Sequence, residues 1–209
     1  TILDGMIIGN GAFRECKSLA TVVIGNNVKI GADAFRLDRE TNFTETPGYY
    51  DGENGLRVYY YIYTSPLHSL TIGNHVEIGN SAFMGASELE SVTLGEGAII
   101  GDSAFFNTPM LKNIDLSKVK SIGASAFSGD VLYEFVDVNM QEPAVNADRE
   151  YQYRYYAPIL TTVDLSALEF LGEGAFEYCR ELTSVTLGEN IDKIPARAFN
   201  LCVKLTDIN

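Results

Sequence analysis

Tryptophan is absent from this chain of 209 residues, and only three cysteines and two histidines occur in it. So few cysteines exclude a disulfide-dense scaffold. No CxxC pair and no histidine beside a cysteine supports a metal-ligand set, so no metal or other cofactor is expected. Positive charge is also scarce: 15 Lys and Arg stand against 28 Asp and Glu, for a net charge of −13. A surface of that sign repels phosphate backbones, which argues against a nucleic-acid partner. It repels anionic bilayers for the same reason. No apolar run approaches the roughly 18 residues that a membrane helix needs, so no membrane insertion is expected. An initiator Met and a signal-like stretch are also missing. From this the chain is expected to be a fragment of a longer array, and both ends fall inside a repeat phrase.

What is present is a repeat. Ala-Phe recurs with its Phe at Phe13, Phe35, Phe83, Phe105, Phe127, Phe176 and Phe199. The spacings are 22, 48, 22, 22, 49 and 23 residues. Two of them equal one period plus an insert of 26 or 27 residues. The contexts match as well: IGNGAF, IGADAF, IGNSAF, IGDSAF, IGASAF, LGEGAF and IPARAF. Upstream lies a strand-like phrase such as LESVTLG, where Leu89, Val92 and Leu94 are apolar and Glu90, Ser91 and Thr93 are polar. This predicts a short strand with one buried and one wet face. The Gly of the Ile-Gly pair is expected to supply unusual backbone angles at a tight turn. The following x-x-Ala-Phe is expected to form a short helical turn that packs its Phe inward. A unit of about 22 residues cannot bury its own apolar face, whereas stacked neighbours can.

These units, L-x-x-V-x-L-(G/S) followed by I-G-x-x-A-F-x-x-C-x-x-L, resemble the BspA-like class of leucine-rich repeats. Seven copies cover nearly all of residues 1–209 apart from two inserts. The resemblance implies an α/β, β-rich leucine-rich-repeat solenoid forming a single domain. It would carry a parallel sheet on one face and short helical turns on the other, while the two inserts, each reading as a β-hairpin, depart from the family pattern. It further implies a secreted or surface-anchored protein, of a kind typical of anaerobic oral and gut bacteria and some parasitic protists. Family members are associated with adhesion to host proteins or to other cells.

The remaining polar residues offer little chemistry. Cys16, Cys179 and Cys202 each follow a repeat Phe by three residues, a position suited to a small buried side chain. A disulfide between the adjacent coils of Cys179 and Cys202 is conceivable. His68 and His75 have no nucleophile signature beside them. One carboxylate pair stands out: the wet strand position is Val23, Thr71, Thr93, Asp115, Asp164 and Thr186. In a continuous ladder Asp115 and Asp164 would sit about 5 Å apart, with Lys112, a cation or solvent offsetting their repulsion. That spacing also suits a retaining glycosidase, although an open sheet supplies no cleft. DGENG at 51–55 superficially offers calcium ligands, but it lacks the ligand alternation and terminal Glu of a calcium loop and reads better as a turn.

The inserts, at about 37–66 and 129–159, enter at one repeat phase, and two short runs within them, 57–66 and 149–158, hold 8 of the 12 tyrosines. In both, the residue that is usually Cys or Ala is an Asp, namely Asp38 or Asp130. Each insert reads as a hairpin. The first has DGENG between Tyr49–Tyr50 and LRVYYYIY, which places Arg57, Tyr59, Tyr61 and Tyr63 on one face. In the second, FVDVNM and REYQYRYY flank the loop, and Tyr151, Tyr153 and Tyr155 share a face opposite Gln152, Arg154 and Tyr156. Tyr and Arg are enriched at recognition hot spots, but tyrosine is also a good strand former that can simply cover a flank. The expected function is a non-enzymatic adhesion module that binds a host or cell-surface protein or glycan outside the cell. The alternatives are a passive spacer in a surface stalk, or a glycoside hydrolase using Asp115 and Asp164.

Overall fold

The computed structural model describes residues 1–38, 40–43, 59–62, 66–136 and 150–209; for 40–43, 59–62, 132–136 and 150–154 the description is of backbone. Alternation of apolar and polar residues produces parallel ladders between successive coils. Thr21–Ile24, Ser69–Ile72, Ser91–Leu94 and Asn113–Ile114 form one four-stranded sheet. Thr162–Leu165, Ser184–Leu187 and Asp207–Ile208 form a three-stranded one. A second side of the coils carries six two-residue strands: Ile7–Ile8, Lys29–Ile30, Glu77–Ile78, Ile99–Ile100, Ser121–Ile122 and Phe170–Leu171. In strands such as Thr21–Ile24 every second residue is buried, so one apolar row faces inward and the polar row faces water.

The Ala-Phe corner builds the centre of the core. The seven repeat phenylalanines stack in order, with centroids 4.9, 5.1, 5.5, 5.4, 5.2 and 5.6 Å apart and ring planes within 9° of parallel. Phe83, Phe105, Phe127 and Phe176 are fully buried. Phe35 stacks directly on Phe83, and Phe127 on Phe176. Both inserts therefore leave and rejoin without interrupting the column.

Two sequence expectations need correction. The short helical turns do not form, and there is no helix among the described residues. Each Phe N–H instead donates to the Ala carbonyl of the next coil at 2.7–2.9 Å, from Phe13–Ala34 through Phe176–Ala198. An N–H engaged between coils cannot also close the bond within the chain that a helix requires. The α component of the expected α/β class is therefore missing, and the described fold is strand and turn. The Gly of the Ile-Gly pair is not a left-handed residue either. The left-handed residue comes two positions later, at Gly11, Asp33, Ser81, Ser103, Ser125, Gly174 and Arg197, with φ of 52–61°. Six of these, from Gly11 to Gly174, donate their N–H to the next coil, which offsets the roughly 1–2 kcal/mol that the left-handed geometry costs a non-glycine residue. The Ile-Gly glycine is needed for close approach. A Cβ on Gly172 would lie 2.3 Å from the Ala124 nitrogen, and one on Gly79 would lie 2.5 Å from the Ile30 oxygen.

Side-chain ladders that the repeat pattern did not reveal run alongside. Asp4, Asn26 and Asn74 each accept the N–H of the next coil, at Asn26, Asn74 and Glu96, over 2.8, 2.9 and 3.0 Å. Asn10, Asn80 and Asp102 do the same for Ala32, Asp102 and Ala124 at 2.9, 3.0 and 2.8 Å. The sequence signal was the Asn or Asp that, Asp4 apart, follows Gly in both turn phrases.

Candidate functional site

The inserts leave the stack where a second left-handed corner is missing. Two residues after the Phe, Glu15, Gly85, Asn107, Tyr178 and Leu201 all have φ of 58–79°. The corresponding Leu37 and Gly129, where the chain departs, have no positive φ. The Asp that follows each of them anchors the exit. Asp38 accepts from the guanidinium groups of Arg14 and Arg36, the latter at 2.7 Å, and its N–H donates to Glu15. The hydrogen bond from Arg14, with Arg36 beside it, holds the Asp38 carboxyl below the usual carboxylate range. Asp130 exchanges a pair of bonds with Asn107: the Asn107 amide donates to Asp130 at 2.8 Å and the Asp130 N–H donates back at 2.7 Å. Both exits are thus polar clamps in the place of the usual small core residue.

Each insert contains an antiparallel hairpin, as the sequence predicts. In the first, Tyr59–Ile62 pairs with Glu40–Phe43, so the strand opposite these tyrosines begins right at the exit instead of at Tyr49–Tyr50. In the second, Val131–Val136 pairs with Glu150–Tyr155, and the first strand starts four residues earlier than FVDVNM suggests. Arg57, Tyr63 and DGENG lie outside the described residues. For Tyr59, Tyr61, Tyr151, Tyr153 and Arg154 only backbone pairing is described.

Tyr155 is the one insert tyrosine of the expected set whose ring is placed. It is half-buried at the root of the second hairpin, where the Tyr156 N–H donates to Asp130 O at 3.0 Å. Its ring lies 6.0 Å from that of Tyr178, tilted by 39°, and the Arg180 guanidinium sits 4.2 Å above it. These three side chains, with Pro109, Pro158, Ile159 and Glu181, line an open cleft of about 470 Å³. Of the residues singled out from the sequence Tyr155 lies in this cleft, while Tyr178 and Arg180 were not among them, because they belong to the next coil and look like ordinary repeat residues there.

The carboxylate pair does not form the expected ladder. Asn113–Ile114 ends one sheet and Thr162–Leu165 begins another, so no ladder joins Asp115 to Asp164. Both are exposed, and each accepts an N–H two residues along its own coil, from Ser117 and Ser166, at 2.9 Å. Hydrogen bonds from Ser117 hold the Asp115 carboxyl below its ordinary value. Lys112 pairs with Glu90 at 2.8 Å. Cys179 and Cys202 are buried free thiols, each donating to the Phe carbonyl of the preceding coil at 3.2 Å, whereas Cys16 is free and exposed. Burial pushes the Cys202 thiol up to about 11, and the Cys179 thiol well above its ordinary value. His75 stands 3.9 Å from Glu96 at an exposed turn. Among the described residues no three His, Cys, Asp or Glu converge as metal ligands, and no helix is long and apolar enough to cross a membrane.

Stacked coils with parallel ladders, an asparagine ladder and a phenylalanine column define a leucine-rich-repeat protein. Residues 4–47, 55–141 and 149–209 match the BspA type leucine-rich repeat region in six copies, and the chain belongs to this family. The crystal structure of a leucine-rich repeat protein from Bacteroides ovatus aligns with a TM-score of 0.46 at 17% identity. The alignment covers 97% of this chain and 51% of that one, so this chain spans about half its length. No curated protein matches the chain.

Proposed function

We propose that this chain is a non-enzymatic binding module of the adhesion type, belonging to a bacterial secreted or cell-surface protein. It holds a host or cell-surface protein or glycan through its hairpin inserts. The observation that carries this reading is the Tyr155–Tyr178–Arg180 cleft, where an insert rejoins the array and an aromatic surface meets an oriented cation. Tyr and Arg in such a setting are the residues that dominate binding hot spots. Arg57, Tyr59, Tyr61, Tyr63, Tyr151, Tyr153 and Arg154 are assigned to binding from the sequence, because Tyr and Arg are enriched at recognition hot spots. Glycoside hydrolysis needs two carboxyl groups held together in a cleft, whereas Asp115 and Asp164 are exposed and no ladder joins them. The test is a binding screen of the whole chain against matrix proteins and glycans, with saturable binding expected. Absence of saturable binding to any of them would favour a passive spacer. Hydrolysis that disappears in Asp164→Asn would favour the enzyme.

A further inference from the structure

The chain carries 13 more acidic than basic residues, yet among the described residues no carboxylate pairs with Arg180. Its described contact is the Tyr155 ring, 4.2 Å from the guanidinium carbon. Stacking covers one face of the guanidinium and leaves the in-plane N–H groups as a rigid fork. The neighbouring Glu181 is engaged by Lys204 at 2.6 Å instead. Tyr178 is a bulky residue in the left-handed region, with φ of 66°, and that corner sets its ring beside Tyr155. Pro109 and Ile159 form an apolar wall on the same cleft.

An oriented, unpaired fork beside an apolar wall is complementary to a carboxylate that adjoins an apolar group. A sugar acid meets the fork but brings several hydroxyls that need acceptors. The carboxylate lining the cleft, Glu181, is already held by Lys204. A peptide brings the apolar side chain instead. Resting on the binding-module reading, we infer that this cleft binds a peptide carboxylate adjoining an aromatic or aliphatic side chain. The carboxylate is either a chain terminus or an acidic side chain.

Calorimetric titration of the whole chain tests this with four probes. These are acetyl-Gly-Gly-Phe with a free carboxyl terminus, its amide, acetyl-Gly-Glu-Phe-amide and glucuronic acid. The free terminus or the internal Glu should bind at least about tenfold more tightly than the amide without an acid, the size of a charge-assisted hydrogen bond. Which of the two binds identifies the source of the carboxylate. Arg180→Gln should remove that difference, and Arg180→Lys should restore it only in part, because an ammonium lacks the planar fork. Thermal unfolding should show both variants folded like the parent. Equal binding of acid and amide, indifference to Arg180→Gln, binding of glucuronic acid alone, or no binding of any probe would each overturn the inference. If Arg180→Gln still binds a partner found in the screen, the cleft assignment falls and the binding-module reading stands. If the screen itself is empty, the reading falls with it.

Discussion

Replacing Phe105 by alanine removes a fully buried ring from the middle of the column, where it stacks on Phe83 at 5.5 Å and on Phe127 at 5.4 Å. A buried Phe→Ala change costs about 3–5 kcal/mol through lost transfer energy and the cavity left behind. Each lost ring pair adds about 0.5–1.5 kcal/mol beyond buried area. Phe105 loses two pairs, so its cost should lie at the upper end. Phe13 is only half-buried and stacks on one neighbour, Phe35, so Phe13→Ala should cost roughly half as much. Phe105→Leu keeps most of the volume and isolates the stacking loss, about 1–3 kcal/mol for two pairs. Urea unfolding followed by circular dichroism reads all three. Coils of a repeat array interact mainly with their neighbours, so the central variant should also broaden or split the transition and lower its slope. If Phe105→Ala costs no more than Phe13→Ala, the column is not the axis of the array's cooperativity.

Gly172→Ala should destabilise by about 1–3 kcal/mol or fail to fold, because the new methyl meets backbone that cannot move aside. Gly9→Ala has nothing within 4 Å of the added carbon and should be tolerated in the same unfolding assay. Asp38 has its carboxyl pKa lowered in the folded state, so its pairing stabilises above the unfolded value near 4 and is lost as pH falls through the folded one. The melting-temperature gap between the parent and Asp38→Asn should therefore be present at neutral pH and close in acid. The stability difference behind that gap should stay within roughly 0–1 kcal/mol, the range of solvent-exposed pairs. A thiol reagent should label Cys16 in the native protein and reach Cys179 and Cys202 only in denaturant. Fast labelling of all three would contradict their burial.

The period, the core phenylalanines and the phase of both inserts were legible in the chain, because every coil repeats the same buried positions. Leu89, Val92 and Phe105 are apolar at fixed intervals and are buried at fixed intervals. The chemistry of the corner was not legible. Ile-Gly-x-x-Ala-Phe reads as a helical turn while each coil is considered alone, since nothing local says where an N–H will point. The hairpins were foreseen as hairpins, but their pairing moved toward the array because Glu40 and Val131 begin the strands immediately after the Asp clamps.

Repetition of a short apolar pattern was enough to dictate stacking, since no unit could bury its face without a neighbour. Contacts between coils carry no such signature. The Asp115–Asp164 ladder failed because the sheet is interrupted between Asn113–Ile114 and Thr162–Leu165. The Tyr155–Arg180 contact exists because a hairpin returns beside the following coil, bringing together residues 25 positions apart. One-dimensional periodicity sets which residues are inside. The three-dimensional return of the second insert sets which side chains meet in the cleft, and there a tyrosine and an arginine that looked unrelated became neighbours.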